Sequence, residues 1–80
     1  MYVYILKSKV FSWIYVGMTD DLNKRVRLHN KGAVTSTKSK RPFKLVYYER
    51  IDNRKEARGK EKYYKTNAGK EFLRRRGLID

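Results

Sequence analysis

The chain has no cysteine, and among its 80 residues it has one histidine, one proline and eight acidic residues. Without cysteine, neither a disulfide framework nor a cysteine-ligated zinc site can support the fold, and one histidine cannot build a histidine-rich metal site. No apolar run is long enough to cross a bilayer, and the first residues lack the order of a signal peptide. We therefore expect a cytoplasmic protein without membrane contact, held together by packing alone.

Basic residues, in contrast, are abundant. Lys and Arg number 21 against 8 Asp and Glu, which gives a formal net charge of +13. This exceeds the roughly 2 to 8 charges that keep a small domain soluble, and it favours an anionic partner, nucleic acid first and an anionic membrane surface second. Apolar residues make up 40% and include seven Tyr. One folded domain over residues 1–80 is the expectation.

Two aromatic and β-branched runs near the start predict a β-hairpin. They cover residues 2–6 and 13–18 and flank a short turn. Alternation along each strand lets Tyr4 and Tyr15 share a face, together with Gly17. The pairing register stays open, because a slip of one residue would reverse every side chain. Gly17 indicates either a close backbone approach or a simple bulge.

A first helix is predicted over residues 21–31. Asp20 and Asp21 supply N-cap oxygens, and Asn30 and Gly32 are stop signals. One stripe of this helix combines two apolar and two basic residues, which places basic side chains at the edge of the buried face. The members of this stripe are Leu22, Arg25, Val26 and His29.

The second half predicts a loop, a strand and two helices. Residues 31–44 show no regular period and form the loop, and residues 45–49 form a third strand. A helix runs from a cap at residues 52–53 to about residue 66, a break follows at 67–69, and a short helix ends the chain. The order β-β-α-β-α-α predicts an α/β fold of the α+β type, with a small three-stranded antiparallel sheet flanked by helices.

Two short motifs that contain tyrosine resemble the signature of a known protein family. YVY at residues 2–4 and YVG at residues 15–17 resemble the paired motifs of the GIY-YIG nuclease superfamily. The similarity continues through Asp-Leu-x-x-Arg-x-x-x-His, which ends at His29, through Arg41-Pro42, and through Glu-Ala-x-x-x-Glu, which ends at Glu61. It covers nearly the whole chain and is greatest to the small stand-alone members. The resemblance implies an endonuclease that hydrolyses DNA, structured or single-stranded, with Mg²⁺ or Mn²⁺.

The resemblance also implies roles for five residues. Tyr15 contacts or deprotonates the attacking water with Tyr4 beside it, Arg25 stabilises phosphate charge, and Glu61 holds the metal. A free phenol titrates near about pH 10, so a tyrosine base needs a cation close by. His29 either orients or deprotonates water, or has a structural role.

Two positions depart from the family pattern. Met18 stands where several relatives have Lys, and Asn67 is the candidate for a further family asparagine. The alternative function is a non-catalytic nucleic-acid-binding module on the same fold, and a small RNA-binding protein is a third. A domain this small also leaves room for a protein partner that supplies specificity, and its oligomeric state is open. Six cations are predicted to follow a phosphate backbone without reading its sequence: Lys38, Lys40, Arg41, Lys44, Lys62 and Lys65.

Overall fold

The sheet is organised around its first strand in the structure, a computed structural model that describes all 80 residues. Strand β1 (Tyr2–Ser8) lies in the centre and pairs antiparallel with β2 (Ile14–Thr19) on one side and β3 (Phe43–Arg50) on the other. The predicted three-stranded antiparallel sheet is confirmed. Both β2 and β3 are edge strands, each paired on one side only.

Three helices follow the predicted order. Helix α1 covers Leu22–Lys31, α2 covers Arg54–Tyr64 and α3 covers Asn67–Arg75, and one 3₁₀ turn at Lys38–Lys40 lies in the loop before β3. None of these helices combines the length and the apolar character that crossing a bilayer requires.

Helix α1 begins and ends at the predicted signals. The Asp21 carboxylate accepts a hydrogen bond of 3.2 Å from the Lys24 backbone N–H, which satisfies one of the free donors at the start of the helix. Gly32 ends the helix with φ of 83°, in the left-handed region that glycine adopts without strain.

The predicted break between the last two helices is wrong in its position, because residues 67–69 are the first turn of α3. The Thr66 side chain caps this helix and accepts from the Gly69 N–H at 3.1 Å. Gly69 is buried, and a β-carbon there would overlap the Tyr63 carbonyl group at the end of α2. Glycine at this position therefore permits the close packing of α3 on α2, and helix breaking is not its role.

Each face of the sheet has its own core. On one face α2 and α3 cover a cluster of buried residues: Val3, Ile5, Val16, Ala57, Tyr64 and Leu73. On the other face, which we call the α1 face, Tyr4, Leu6 and Phe43 are buried with Leu22 and Val26 of α1 against them. The alternation predicted for β1 and β2 is thus the one observed.

A β-bulge changes the alternation of β3. Ile5 pairs with Tyr47 and Leu6 pairs with Leu45, so Val46 is the extra residue. Because of this bulge, Leu45 packs on the α1 face, whereas Val46 and Tyr47 both pack against the core beneath α2 and α3.

Candidate active site

Gly17 allows the two motif tyrosines to come together on the α1 face. In the observed register Gly17 lies opposite Tyr4, and Tyr15 lies opposite Leu6. The Tyr4 and Tyr15 ring centroids are 6.1 Å apart. A β-carbon on Gly17 would lie 2.6 Å from the Tyr4 hydroxyl oxygen and 2.7 Å from the Tyr15 ring. Of the two interpretations of Gly17, the close approach is the one observed.

A chain of buried hydrogen bonds starts at Tyr4. Its hydroxyl lies 2.8 Å from His29 Nε2, and His29 Nδ1 lies 2.9 Å from Thr37 Oγ1. The Thr37 hydroxyl donates to the Val34 carbonyl oxygen at 3.3 Å. Because that hydroxyl has a single proton, it accepts from His29 Nδ1–H, and Nε2 therefore accepts from Tyr4. The network assigns His29 as the neutral tautomer protonated on Nδ1.

Burial keeps His29 in this neutral form. The residue has no solvent exposure, and burial, with the nearby Arg25 charge as a second cause, lowers the pKa of His29 from 6.5 to about 4. Its ring centroid lies 4.8 Å from that of Tyr15 and 5.8 Å from that of Tyr4. Both ring nitrogens are hydrogen-bonded within the protein, so His29 acts on the site through the Tyr4 hydroxyl. A catalytic role for it stays a prediction.

Charged and polar groups of other elements affect the pKa of Tyr4. Burial raises the pKa of Tyr4 to about 12, and Tyr15 of β2 and Glu61 of α2 act in the same direction. Arg25 of α1 acts in the opposite direction, first through hydrogen bonding by its side chain and then through its positive charge, both of which favour a phenolate. Of these residues, Tyr15 lies beside Tyr4, with the two ring centroids 6.1 Å apart.

Arg25 carries an unpaired charge. It is half-buried, and none of the six ion pairs of the chain includes it. Together with Thr19, Asp21 and Lys24 it lines an open cleft at the start of α1. A guanidinium in this condition can bind a phosphate with two parallel hydrogen bonds.

The Glu61 carboxylate forms two long ion pairs and accepts no hydrogen bond within the chain. Glu61 lies with Ala57 and Tyr64 on the buried face of α2 and is 8% exposed. Arg58 and Lys65 pair with it at 3.5 and 3.6 Å, too far for good hydrogen bonds, and neither carboxylate oxygen accepts a hydrogen bond within the chain.

The residues fit a metal ion held through one carboxylate. No group of three or more His, Asp or Glu side chains is arranged to hold a metal. Mg²⁺ is commonly bound by one or two carboxylates, with water and substrate phosphate completing the shell. The Glu61 carboxylate suits that arrangement.

The predicted DNA-binding cations of the loop and of β3 are exposed or half-buried. Lys40 lies over the Phe11 ring, with Nζ 4.6 Å from the ring centroid. Arg41 donates at 2.8 Å to a backbone carbonyl at the end of α1, so part of its guanidinium has a structural use. Lys38 and Lys44 are exposed, and neither forms an ion pair.

Two more of these cations come from α2 and its C-terminal cap. Lys62 is exposed and unpaired, whereas Lys65 pairs with Glu61 at 3.6 Å. Lys65 is therefore the predicted DNA-binding cation with a direct contact to the candidate metal ligand. Asn67 lies exposed in the first turn of α3, and its side chain forms no hydrogen bond within the chain.

Thr37 is a member of the site that the sequence patterns did not indicate. It is fully buried and fixes the tautomer of His29 from within the loop. Residues 35–37 are Thr, Ser and Thr, so the sequence did offer hydroxyl groups in this loop as possible hydrogen-bond partners. Which hydroxyl turns inward depends on the path of the loop, and no local pattern specifies that path.

Residues 1–75 match the family described as the GIY-YIG catalytic domain, and the chain belongs to this family. The match covers both tyrosine motifs, Arg25, His29 and Glu61. No solved structure matches the chain.

Bacterial relatives share the same region of sequence. A UPF0213 protein of Clostridium perfringens is 46% identical over 65 residues, which is 80% of this chain and 69% of that protein. The UPF0213 protein YazA of Bacillus subtilis is 42% identical over 80% of this chain and 65% of its own length. A UPF0213 protein of Staphylococcus saprophyticus is 42% identical over 81% of this chain and 79% of its own length. The names of these relatives specify no activity.

Proposed function

We propose that this protein is a metal-dependent endonuclease that hydrolyses a phosphodiester bond of DNA. The observation that supports the proposal is the cluster of the Tyr4, Tyr15 and His29 rings on the α1 face of a GIY-YIG family chain with a net charge of +13. The Tyr15 phenol, the unpaired Arg25 guanidinium and the Glu61 carboxylate supply proton handling, charge stabilisation and metal binding, the three functions that such hydrolysis requires.

Tyr15 is the proposed partner of the attacking water. Its hydroxyl forms no hydrogen bond within the chain and is partly exposed, whereas the Tyr4 hydroxyl is buried and bonded to His29. In its ionised form Tyr15 takes a proton from the water while the water oxygen forms a bond to phosphorus. The bond from phosphorus to the leaving oxygen breaks, and the leaving oxygen then takes a proton from solvent.

Arg25 and Glu61 stabilise the charge that this reaction produces. The Arg25 guanidinium binds the non-bridging phosphate oxygens, whose negative charge grows as the water attacks. Glu61 is the proposed ligand of Mg²⁺ or Mn²⁺. When bound, the ion supplies positive charge next to the phosphate.

Tyr4 and His29 are the proposed positioning pair. The hydrogen bonds from Tyr4 to His29 and from His29 to Thr37 hold the Tyr4 ring against the Tyr15 ring. Both residues thus orient Tyr15, and neither needs to exchange a proton with the substrate.

The exposed cations are proposed to bind the DNA backbone. Contacts from Lys38, Lys40, Arg41, Lys44 and Lys62 to phosphates release counterions, so affinity should fall steeply with salt and depend little on sequence. Any preference among DNA substrates then comes from shape or strandedness.

The test is cleavage of duplex, nicked, branched and single-stranded DNA by the purified protein, with Mg²⁺, with Mn²⁺ and with chelator. Glu61→Gln keeps the shape of the side chain and removes its charge, so we expect cutting to be lost. Glu71→Gln is the matched control, because Glu71 lies exposed on α3 and pairs only with Arg74 and Arg75.

Two outcomes would contradict the proposal. Cutting that persists in the Glu61→Gln protein would place the activity at another site or in a contaminant. Salt-sensitive DNA binding without metal-dependent cutting of any substrate would favour the alternative, a nucleic-acid-binding module on the same fold.

A further inference from the structure

A further cavity, separate from the open cleft beside Arg25, lies near the last two helices. It is a groove of about 740 Å³ between β3, α2 and α3, on the face of the sheet opposite Tyr4 and Tyr15. Aromatic side chains of all three elements line it: Tyr47 from β3, Tyr63 from α2 and Phe72 from α3. A cavity of this size with aromatic walls is typical of a site for a small planar ligand.

Glu49 points one free acceptor into this groove. The hydroxyls of Tyr47 and Tyr64 both donate to Oε1, whereas Oε2 has only the Lys60 ammonium 3.8 Å away, beyond hydrogen-bond distance. No buried side-chain oxygen of the protein lacks a hydrogen bond. Since Oε2 has none within the chain, it is open to solvent in the groove. Burial raises the pKa of Glu49, but the tyrosine hydroxyls and Lys60 outweigh burial, and the pKa is lowered overall.

A glycine in the middle of α2 keeps the groove open. Gly59 is helical, its φ is not positive, and a β-carbon there would meet no atom within 4 Å. Neither backbone conformation nor packing within the chain therefore requires glycine, although a helix-interior glycine costs about 1 kcal/mol relative to alanine. Gly59 lines the groove, and the need for space above the helix for a bound molecule would account for a glycine at this position.

One cation lies next to the free acceptor, and a second lies over an aromatic ring of the groove wall. Lys60 lies beside Glu49 Oε2, and the Arg76 guanidinium lies 4.6 Å from the centroid of the Phe72 ring, which lines the groove. The groove thus combines aromatic surface, an acceptor next to a donor, and positive charge.

We infer that this groove binds a nucleotide. The base packs on the aromatic walls over Gly59. An N–H group on the edge of the base donates to Glu49 Oε2, and Lys60 donates to the neighbouring acceptor on the same edge. Arg76 attracts the phosphate. Aromatic stacking and a paired donor and acceptor are the usual elements of base recognition. A polyamine is the competing ligand, because Glu49 and Glu56 line the groove. The net charge of +13 repels a free cation and attracts an anionic nucleotide.

The experiment is titration calorimetry of the full chain with each of the four deoxynucleoside monophosphates, with deoxyribose 5-phosphate and with spermidine. At least one nucleotide should bind about tenfold or more tightly than the sugar phosphate, since stacking contributes on that scale. A trinucleotide and its counterpart with an abasic terminal position distinguish the end of a strand from a free nucleotide. If the groove binds the end of a DNA strand, the trinucleotide binds more tightly than the monophosphates and loses this advantage when its terminal base is removed.

Two variants report on the groove itself. Gly59→Leu fills the space at an exposed helical position, and Glu49→Gln keeps an oxygen for the two tyrosine hydroxyls while it replaces the free oxygen by a donor. Each should reduce nucleotide affinity about tenfold or more, with folding checked by circular dichroism. Tyr15→Phe should leave this affinity unchanged, and because this readout is binding without cleavage, it is independent of the proposed nuclease activity.

Several results would overturn the inference. Equal affinity for nucleotides and sugar phosphate would show simple charge attraction, and tighter binding of spermidine would assign the groove to a cation. Full nucleotide affinity in folded Gly59→Leu protein, or its loss in Tyr15→Phe protein, would place the nucleotide elsewhere.

Discussion

Each face of the sheet buries a tyrosine hydroxyl, but the two hydroxyls have acceptors of opposite kinds. Tyr4 donates to a neutral imidazole, His29, whereas Tyr64 donates to the ionised Glu49 carboxylate. Burial raises the pKa of both phenols. Next to Tyr4 the Arg25 cation opposes this rise, whereas next to Tyr64 the Glu49 anion adds to it. A phenolate on the α2 and α3 face would confront a carboxylate, whereas the Arg25 cation would favour a phenolate at Tyr4.

The two acceptors, His29 and Glu49, also differ in charge: His29 is neutral and Glu49 is ionised. Burial disfavours the imidazolium and keeps His29 neutral, with a pKa of about 4. Burial also disfavours the Glu49 carboxylate, but hydrogen bonds from Tyr64 and Tyr47 and the Lys60 charge outweigh it. Hydrogen-bond donors and a cation thus keep Glu49 charged, and desolvation keeps His29 neutral. Substitutions on the α1 face should therefore affect cleavage and the pH dependence of stability, whereas substitution of Tyr64 on the other face should affect stability alone.

The largest effect is expected for Tyr15→Phe on the α1 face. The cleavage rate should fall about 100-fold or more, the usual scale of general acid–base catalysis, whereas stability should hardly change because the hydroxyl has no partner in the chain. Tyr48→Phe is the control, since Tyr48 is 54% exposed at the far edge of the sheet. Single-turnover rates at saturating DNA measure the effect. A wild-type rate in Tyr15→Phe protein would remove the phenol from the mechanism.

The next largest effect is the pH dependence that His29 gives to stability. Its pKa is 6.5 when unfolded and about 4 when folded, so the unfolded chain binds the extra proton between these values. The stabilisation is complete above pH 6.5 and is lost as pH falls towards 4, by on the order of 3 kcal/mol. Urea unfolding of wild type and of His29→Gln, which keeps a donor and an acceptor, should diverge in this window. Parallel pH profiles would show that His29 titrates normally in the folded protein.

A smaller effect is expected for Tyr64→Phe on the opposite face. Removing this hydroxyl takes one of two donors from the Glu49 carboxylate, and hydrogen bonds to charged groups contribute about 1.5 to 3 kcal/mol. Thermal and urea unfolding should show a loss in this range. Tyr63→Phe should change stability little, because Tyr63 is 39% exposed and its hydroxyl has no partner. If the Tyr64→Phe protein were as stable as wild type, the Glu49 carboxylate would not depend on this hydrogen bond.

The sequence predicted the α1 face better than the other. Alternation along β1 and β2 correctly placed Tyr4 and Tyr15 on one face, and the capping residues gave the limits of α1. These features depend on local periodicity and on hydrogen bonds between near neighbours. The register, by contrast, depends on which strand residues lie opposite each other, and the observed pairing of Tyr4 with Gly17 is set by close packing of rings.

The groove on the other face could not be predicted, because it depends on two non-local features. The bulge at Val46 shifts the alternation, and Tyr47 and Glu49 then both line the groove. Gly69 resembles a helix breaker in sequence, but its function is contact with a preceding helix. Thr37 likewise reaches His29 through the path of an irregular loop. Each depends on a contact between distant elements, which has no local periodic signature.

The smallest predicted effects separate two helical glycines. Gly59→Ala should stabilise the protein by about 1 kcal/mol, because alanine favours the helix and meets no atom within 4 Å. Gly69→Ala should destabilise it, because the added β-carbon overlaps the Tyr63 carbonyl and forces α3 away from α2. Urea midpoints of the two variants should move in opposite directions. If Gly59→Ala were neutral or destabilising, the groove would be tighter than described, and Gly59 would have a structural reason that needs no ligand.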